Sequence, residues 1–146
     1  MKKSISVFLL CLILLLQFSL TACERAVPPE QDFSFSIIDP QIEVSVGEPV
    51  TFHAELTNQA KRDYKLTHGN LNPIYIQISP EINGAPPLFY YDVVCKSNFA
   101  PQDTISNEYT AQFDEPGTYT VKALCKFSVN NTELQYQDSI TVVVTQ

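Results

Sequence analysis

Few residues of this 146-residue chain could do chemistry: four cysteines, two histidines and a scatter of carboxylates. A zinc centre needs His, Cys or carboxylate ligands at short, regular spacing. His53 falls in the polar phase of its segment and His68 among turn residues, and neither has a Cys or Glu placed to complete a ligand set. Calcium loops draw on runs of the Asp-x-Asp-x-Asp kind. Here Asp92, Asp103 and Asp114-Glu115 stand apart and read as solvated turn residues. Hydrolysis would call for a nucleophile on a strained turn, yet there is no Gly-x-Ser-x-Gly, no His-Glu-x-x-His and no phosphate-cradling glycine loop. No catalytic residue, metal ligand or cofactor is assigned, and the chain is not read as an enzyme.

The cysteines say more about address. Lys2 and Lys3 form a positive start, and Ile5 to Leu16 is apolar apart from Ser6. That run is shorter than the roughly 20 residues a membrane-spanning helix needs, and it has the layout of a secretory signal peptide. It closes on Leu20-Thr21-Ala22-Cys23, which closely resembles the lipobox of bacterial lipoproteins. The resemblance implies cleavage before Cys23, a lipidated cysteine as the first mature residue, and attachment to the outer face of the cell membrane. Two or three acyl chains give stable anchoring where one does not, each buried CH₂ contributing about 0.8 kcal/mol. Residues 1–22 are then signal peptide, 23–31 a proline-containing tether, and 32–146 one domain.

Removal of Lys2 and Lys3 leaves seven Lys plus Arg against sixteen Asp plus Glu, a net charge of −9. Such a balance disfavours nucleic acid and electrostatic docking on anionic headgroups, so membrane contact is expected through the lipid on Cys23 alone. Cys11 leaves with the signal, and Cys95 and Cys125 remain. An even pair in an exported chain is a disulfide candidate, two buried free thiols being the alternative. A bridge closing about 30 residues would contribute about 3.5 kcal/mol in the chain-entropy model.

The elements that would position these residues follow a period of two. Phe33, Phe35 and Ile37 alternate with serines, Ile42, Val44 and Val46 with Glu43 and Ser45, and Val50, Phe52, Ala54 and Leu56 with polar partners. Tyr64 and Leu66, then Ile74, Ile76 and Ile78, continue the pattern, as do 88–96, 104–113, 118–129 and 134–145, the last two joined at Asn130-Asn131. Each pattern is that of a strand with one face on a core and one in water. Seven to nine short strands, ten prolines and no amphipathic helical window predict an all-β antiparallel sandwich. Cys95 falls in phase with Phe89, Tyr91 and Val93, and Cys125 with Tyr119, Val121, Ala123 and Phe127, so both are expected to point inward.

Phe113-Asp114-Glu115-Pro116-Gly117-Thr118-Tyr119-Thr120-Val121-Lys122-Ala123 resembles the turn and strand shared by PKD-like and other immunoglobulin-like domains of bacterial surface proteins. The likeness implies an immunoglobulin-like sandwich. Pro116 presets a turn, Gly117 supplies positive φ where one is needed, and the Tyr119 hydroxyl bonds backbone as a tyrosine corner does. With no tryptophan, and with Cys125 six residues after Tyr119, the antibody core is not expected. Leu56-Thr57-Asn58, Leu66-Thr67-His68-Gly69-Asn70 and Ile74-Tyr75-Ile76 are similar in layout to the proteinase-inhibitor domain of bacilli, also a sandwich.

Alternation sends Phe89 and Tyr91 inward and leaves Tyr90 outward beside Ala85-Pro86-Pro87, a candidate recognition residue, a plain edge-strand tyrosine being the alternative. The function expected is a non-catalytic, lipid-anchored module of the cell envelope with an envelope protein or glycan as partner. The alternative is an inhibitor or regulator of an exported protease, acting through loops 58–62, 67–73 or 80–87. A protruding ordered loop favours the inhibitor; a flat sheet face with Tyr90 exposed favours the binding module.

Overall fold

The computed structural model describes residues 28–82 and 93–146. A short 3-10 turn, Glu30–Asp32, leads into nine described strands: β1 (Phe33–Ile38), β2 (Glu43–Ser45), β3 (Pro49–Asn58), β4 (Tyr64–His68), β5 (Ile74–Ser79), β6 (Cys95–Phe99), β7 (Thr104–Gln112), β8 (Gly117–Val129) and β9 (Thr132–Thr145). They form a smaller sheet, β1-β3-β7, and a larger one, β2-β9-β8-β4-β6, with β5 also on β8. The pairing is antiparallel except between β2 and β9, which run parallel. This is an all-β sandwich, consistent with an immunoglobulin-like fold and mixed at one edge where a wholly antiparallel one was expected.

Alternation builds it. Val50, Phe52, Ala54 and Leu56 of β3 are buried, as are Val121, Ala123, Cys125, Phe127 and Val129 of β8, and these faces close the core. Phe33 stitches the sheets together: from β1 its ring meets Tyr64, Phe99, Phe127 and Tyr136, with centroids 4.8, 6.2, 5.3 and 6.1 Å away. The edge of β1 is closed by Asp138 of β9, whose Oδ2 accepts the Ile37 amide at 2.9 Å. An edge so capped offers less to a stray strand. Packing also reaches back to Pro28, which is buried within the segment read as tether.

The β8–β9 hairpin turns on Asn130 and Asn131 at φ 50° and 62°, closed by the Val129–Thr132 pair. Two successive left-handed residues are what the twist of a two-residue hairpin demands, and asparagine tolerates them. At the other end of β8 the Tyr119 hydroxyl donates to the Glu115 carbonyl at 3.0 Å, and the ring packs on Phe113 at 4.6 Å. The corner is therefore built as the motif implied. Gly117, however, does not adopt positive φ; among the described glycines that falls to Gly47, at 79° in the turn after β2. Tyr119→Phe should lower stability by about 1 kcal/mol, the value of one such bond. Thermal unfolding checks this, and an unchanged transition would assign the corner to ring packing alone.

The candidate bridge between Cys95 and Cys125 does not form: both thiols are free. Both cysteines keep the inward phase, since Cys95 lies on the face of β6 that buries Phe99 and Cys125 is fully buried, but they are not partners. Cys95 pairs with His68 of β4, and β4 in turn pairs with β8 at Thr67–Ser128, so one strand separates the two cysteines within the same sheet. Two strand spacings make about 9.6 Å, beyond the roughly 7 Å that a disulfide spans. Val93, placed in the same inward phase, is 50% exposed, and β6 begins only at Cys95.

Burial pushes the Cys125 thiol up to about 12, and burial, followed by the nearby Glu30 carboxylate, raises Tyr136 to about 12. Both groups are neutral when protonated and both have raised values in the fold. Their contribution to stability is thus whole below the unfolded-state values and declines as pH rises past them. The domain should weaken above about pH 9, and at pH 8 an alkylating agent should label Cys95 well before Cys125. Equal labelling rates in the folded protein would contradict the burial argument.

Candidate functional site: the bulge loop at Leu71

Strands β4 and β5 lie end to end along one edge of β8. Thr67 pairs with Ser128 and Ile74 with Cys125, so seven steps on one side face three on the other. The four surplus residues must leave the ladder, which makes His68–Pro73 an oversized bulge. Its exit is set by Pro73, which is buried and has no amide proton to offer the sheet, while its carbonyl accepts the Lys126 amide at 3.0 Å.

Side chains pin this bulge almost residue by residue. His68 is buried, and its Nδ1–H donates to the Asn70 carbonyl at 2.5 Å, a contact that requires the proton on Nδ1 because a carbonyl only accepts. Asn70 Nδ2 donates to the Tyr75 hydroxyl at 2.5 Å. Asn72 Oδ1 accepts the Ile74 amide at 2.9 Å, and its Nδ2 donates to the Ser106 carbonyl of β7 at 2.8 Å. Asn107 reaches back from β7 to the Ile74 carbonyl at 2.9 Å. The loop is thereby tied to both sheets.

Leu71 stands 86% exposed at its tip. Val93 and Val94, 50% and 70% exposed, precede Cys95, whose pairing with His68 brings them to the same end of the β4–β6 ladder. Covering a leucine side chain is worth roughly 1.5–3 kcal/mol, and a loop ordered beforehand loses little entropy when it is engaged. The arrangement offers an exposed apolar contact on a loop held in place by hydrogen bonds. The sequence marks loop 67–73 but not Leu71 within it, nor the inward role of His68. The readable signal was the lapse of alternation across His68-Gly69-Asn70-Leu71-Asn72-Pro73, flanked by asparagines able to bond local backbone.

The other sequence-derived residues are not drawn together. Cys23 and Tyr90 lie outside the described residues. His53 sits on the outer face of β3, its Nδ1 3.5 Å from Glu108 and both side chains largely in water. Among the described residues no three His, Cys, Asp or Glu side chains converge as a metal site. Asp114 and Glu115 are exposed and, with Glu81, Ile82 and Tyr119, line a cleft of about 190 Å³.

At the entry to β1, Asp32 receives both Arg62, whose guanidinium is 3.0 Å away, and the Tyr64 hydroxyl, while Arg62 Nε donates to Tyr64 at 2.8 Å. Burial and then the Asp32 carboxylate hold the Tyr64 hydroxyl above its usual range. The Tyr64 and Asp32 bonds raise Arg62 further. This cluster fastens the N-terminal segment to the loop after β3.

No protein-family model matches the sequence, and no curated protein matches it. Several solved structures are similar in shape. The CARDB domain of a Pyrococcus furiosus protein, solved with two metal ions, is 12% identical, with a TM-score of 0.49 over 77% of this chain and 92% of that one. A β-glucosidase of Listeria innocua is 12% identical, with a TM-score of 0.41 over 78% of this chain but 16% of the enzyme. The ASH/PapD-like domain of human CEP192 is 13% identical, with a TM-score of 0.38 over 82% of this chain and 91% of that domain. At these values no function passes from them to this chain.

Proposed function

We propose that the chain is a non-catalytic, lipid-anchored binding module of the cell envelope, with residues 1–22 as signal peptide, Cys23 as the lipidated first residue, and the sandwich as the working part. The observation that carries the binding role is Leu71, an exposed apolar side chain on a loop fixed to both sheets. The anchor rests on the residues that precede and include Cys23. Two measurements test the reading. Labelled palmitate should enter the wild-type product and not Cys23→Ser, which should appear in the medium or periplasm. In living cells a photo-crosslinker at position 71 should give a discrete adduct, whereas one at position 112, at the far end of β7 from the Ser106 that Asn72 bonds, should give none. Palmitate in neither protein would remove the anchor; identical products from both positions would remove the site.

The same loop favours a second reading, an inhibitor of an exported protease, because Leu71 at its tip is exposed while its neighbours are hydrogen-bonded in place. Leu71 would then fill an apolar specificity pocket. A subtilisin-type protease titrated with the purified chain should lose activity, and Leu71→Glu should restore it. Full protease activity at excess protein would leave the binding module standing alone.

A further inference from the structure

Charge is divided between the two outer faces of the sandwich. On β8 the buried phase of Val121, Ala123, Cys125 and Phe127 turns Lys122 and Lys126 outward. The register extends this face across the larger sheet: Ser128 pairs with Thr67, Thr67 with Lys96, and Lys65 with Asn98. Lys65, Lys96, Lys122 and Lys126 thus share one surface, four of the six Lys and Arg in the described residues. None of them is in an ion pair among those residues. Glu133 and Glu43 are the strand carboxylates of that surface, each on one of the two strands beyond β8. The outer face of the smaller sheet is the reverse, with Glu55 and Glu108 around His53 and no Lys or Arg on its strands.

Lys65 and Lys96 are diagonal neighbours, about 7–8 Å apart, so like charges are held close without a counter-charge in ion-pair contact among the described residues. Such an arrangement in a chain of strongly acidic balance calls for an anion from outside. The surroundings narrow its kind. The face offers Tyr75, Gln77, Asn98 and Gln135, groups suited to hydroxyls; its apolar residues Leu124 and Tyr75 are half-buried, and Val143, 41% exposed, lies apart on β9 opposite Glu43 of β2. A protein interface would be centred on apolar and aromatic anchors and depleted in lysine. Lysine meets phosphate as a point charge, without the fixed fork that arginine brings to one carboxylate. We propose that the outer face of the larger sheet docks an anionic glycopolymer, its phosphates on the four lysines and its hydroxyls on the amides and tyrosine between them.

This goes beyond the reading of loop 68–73 and takes from the proposed envelope address only the choice of polymer. Binding is measured on the purified chain, so its failure leaves the anchor and the loop untouched. The probe is poly(glycerol phosphate), set against uncharged dextran, poly-glutamate, and phosphatidylcholine vesicles containing phosphatidylglycerol. Wild type should bind the phosphate polymer and not dextran, with the logarithm of its affinity falling linearly in log salt. K65Q/K96Q/K122Q/K126Q should bind at least about tenfold more weakly with a shallower salt slope, while its melting transition stays that of wild type. K96Q alone, on the edge strand β6, should lose roughly two- to threefold and keeps the test sound if the fourfold variant unfolds. E55Q/E108Q, on the other face, should bind as wild type does. The proposal is overturned if the polymer does not bind, if the lysine variants bind like wild type, if poly-glutamate binds equally well, or if only the vesicles bind.

Discussion

Phe33→Ala should destabilise the domain by about 3–5 kcal/mol, the range for removing a buried phenylalanine. The figure belongs at the upper end because this ring is the meeting point of four others, on β4, β6, β8 and β9. Each well-oriented aromatic pair adds about 0.5–1.5 kcal/mol beyond area burial. Against a total stability of roughly 5–15 kcal/mol, such a loss would leave the sheets barely held together. Phe33→Leu separates the two contributions, since it keeps much of the apolar volume and loses the ring geometry; it should cost less than half as much. Urea unfolding reads both, through a lowered midpoint at constant slope. A loss below about 1.5 kcal/mol for alanine would mean that the cluster repacks around the gap.

The second large effect is expected at Asn58, which is wholly buried at the end of β3 although it opens what reads as a polar loop. Its Nδ2 donates toward the carbonyls of Phe99, Ala100 and Arg62 at 2.8, 2.9 and 3.0 Å, and its Oδ1 accepts the Ala60 amide at 3.0 Å. Its backbone is engaged as well, the amide with Asp103 and the carbonyl with Gln102. One side chain therefore satisfies the turn after β3 and the turn after β6 together. Asn58→Ala strands several acceptors at once, at about 1–3 kcal/mol for each that water cannot reach, so a loss of about 2–4 kcal/mol is expected. Asn58→Asp should be at least as damaging: its shape is the same, but the donor is replaced by a charge facing carbonyl oxygens. An aspartate variant as stable as wild type would show that shape, not hydrogen bonding, matters here.

What the sequence disclosed is what a period of two can disclose. Strands with one buried face announced themselves except β6, expected over 88–96 and found at Cys95–Phe99; the Asn130-Asn131 hairpin and the Tyr119 corner were legible too, because each is dictated by neighbours in the chain. Order within the sheets was not legible. The inward phase of Cys95 and Cys125 could be read, yet whether they meet depends on β4 lying between β6 and β8, a fact of long-range pairing. The bulge at Leu71 hid for the same reason. Its residues look like an ordinary turn until the register shows four too many for the partner strand. Lys122 and Lys126 could be assigned outward from β8 alone, but their union with Lys65 and Lys96 needs the same strand order. Gly117, expected to relieve a left-handed turn, leaves that part to Gly47, a local conformation that composition does not specify.

The unlinked thiols have a consequence for how the molecule matures. A sandwich whose described halves are joined by ring contacts, side-chain hydrogen bonds and apolar packing, with Cys95 and Cys125 unlinked, needs no thiol oxidant and no disulfide isomerase to hold that form. It should fold equally well in glutathione-rich or air-equilibrated surroundings, and reductant added to the finished protein should leave it intact.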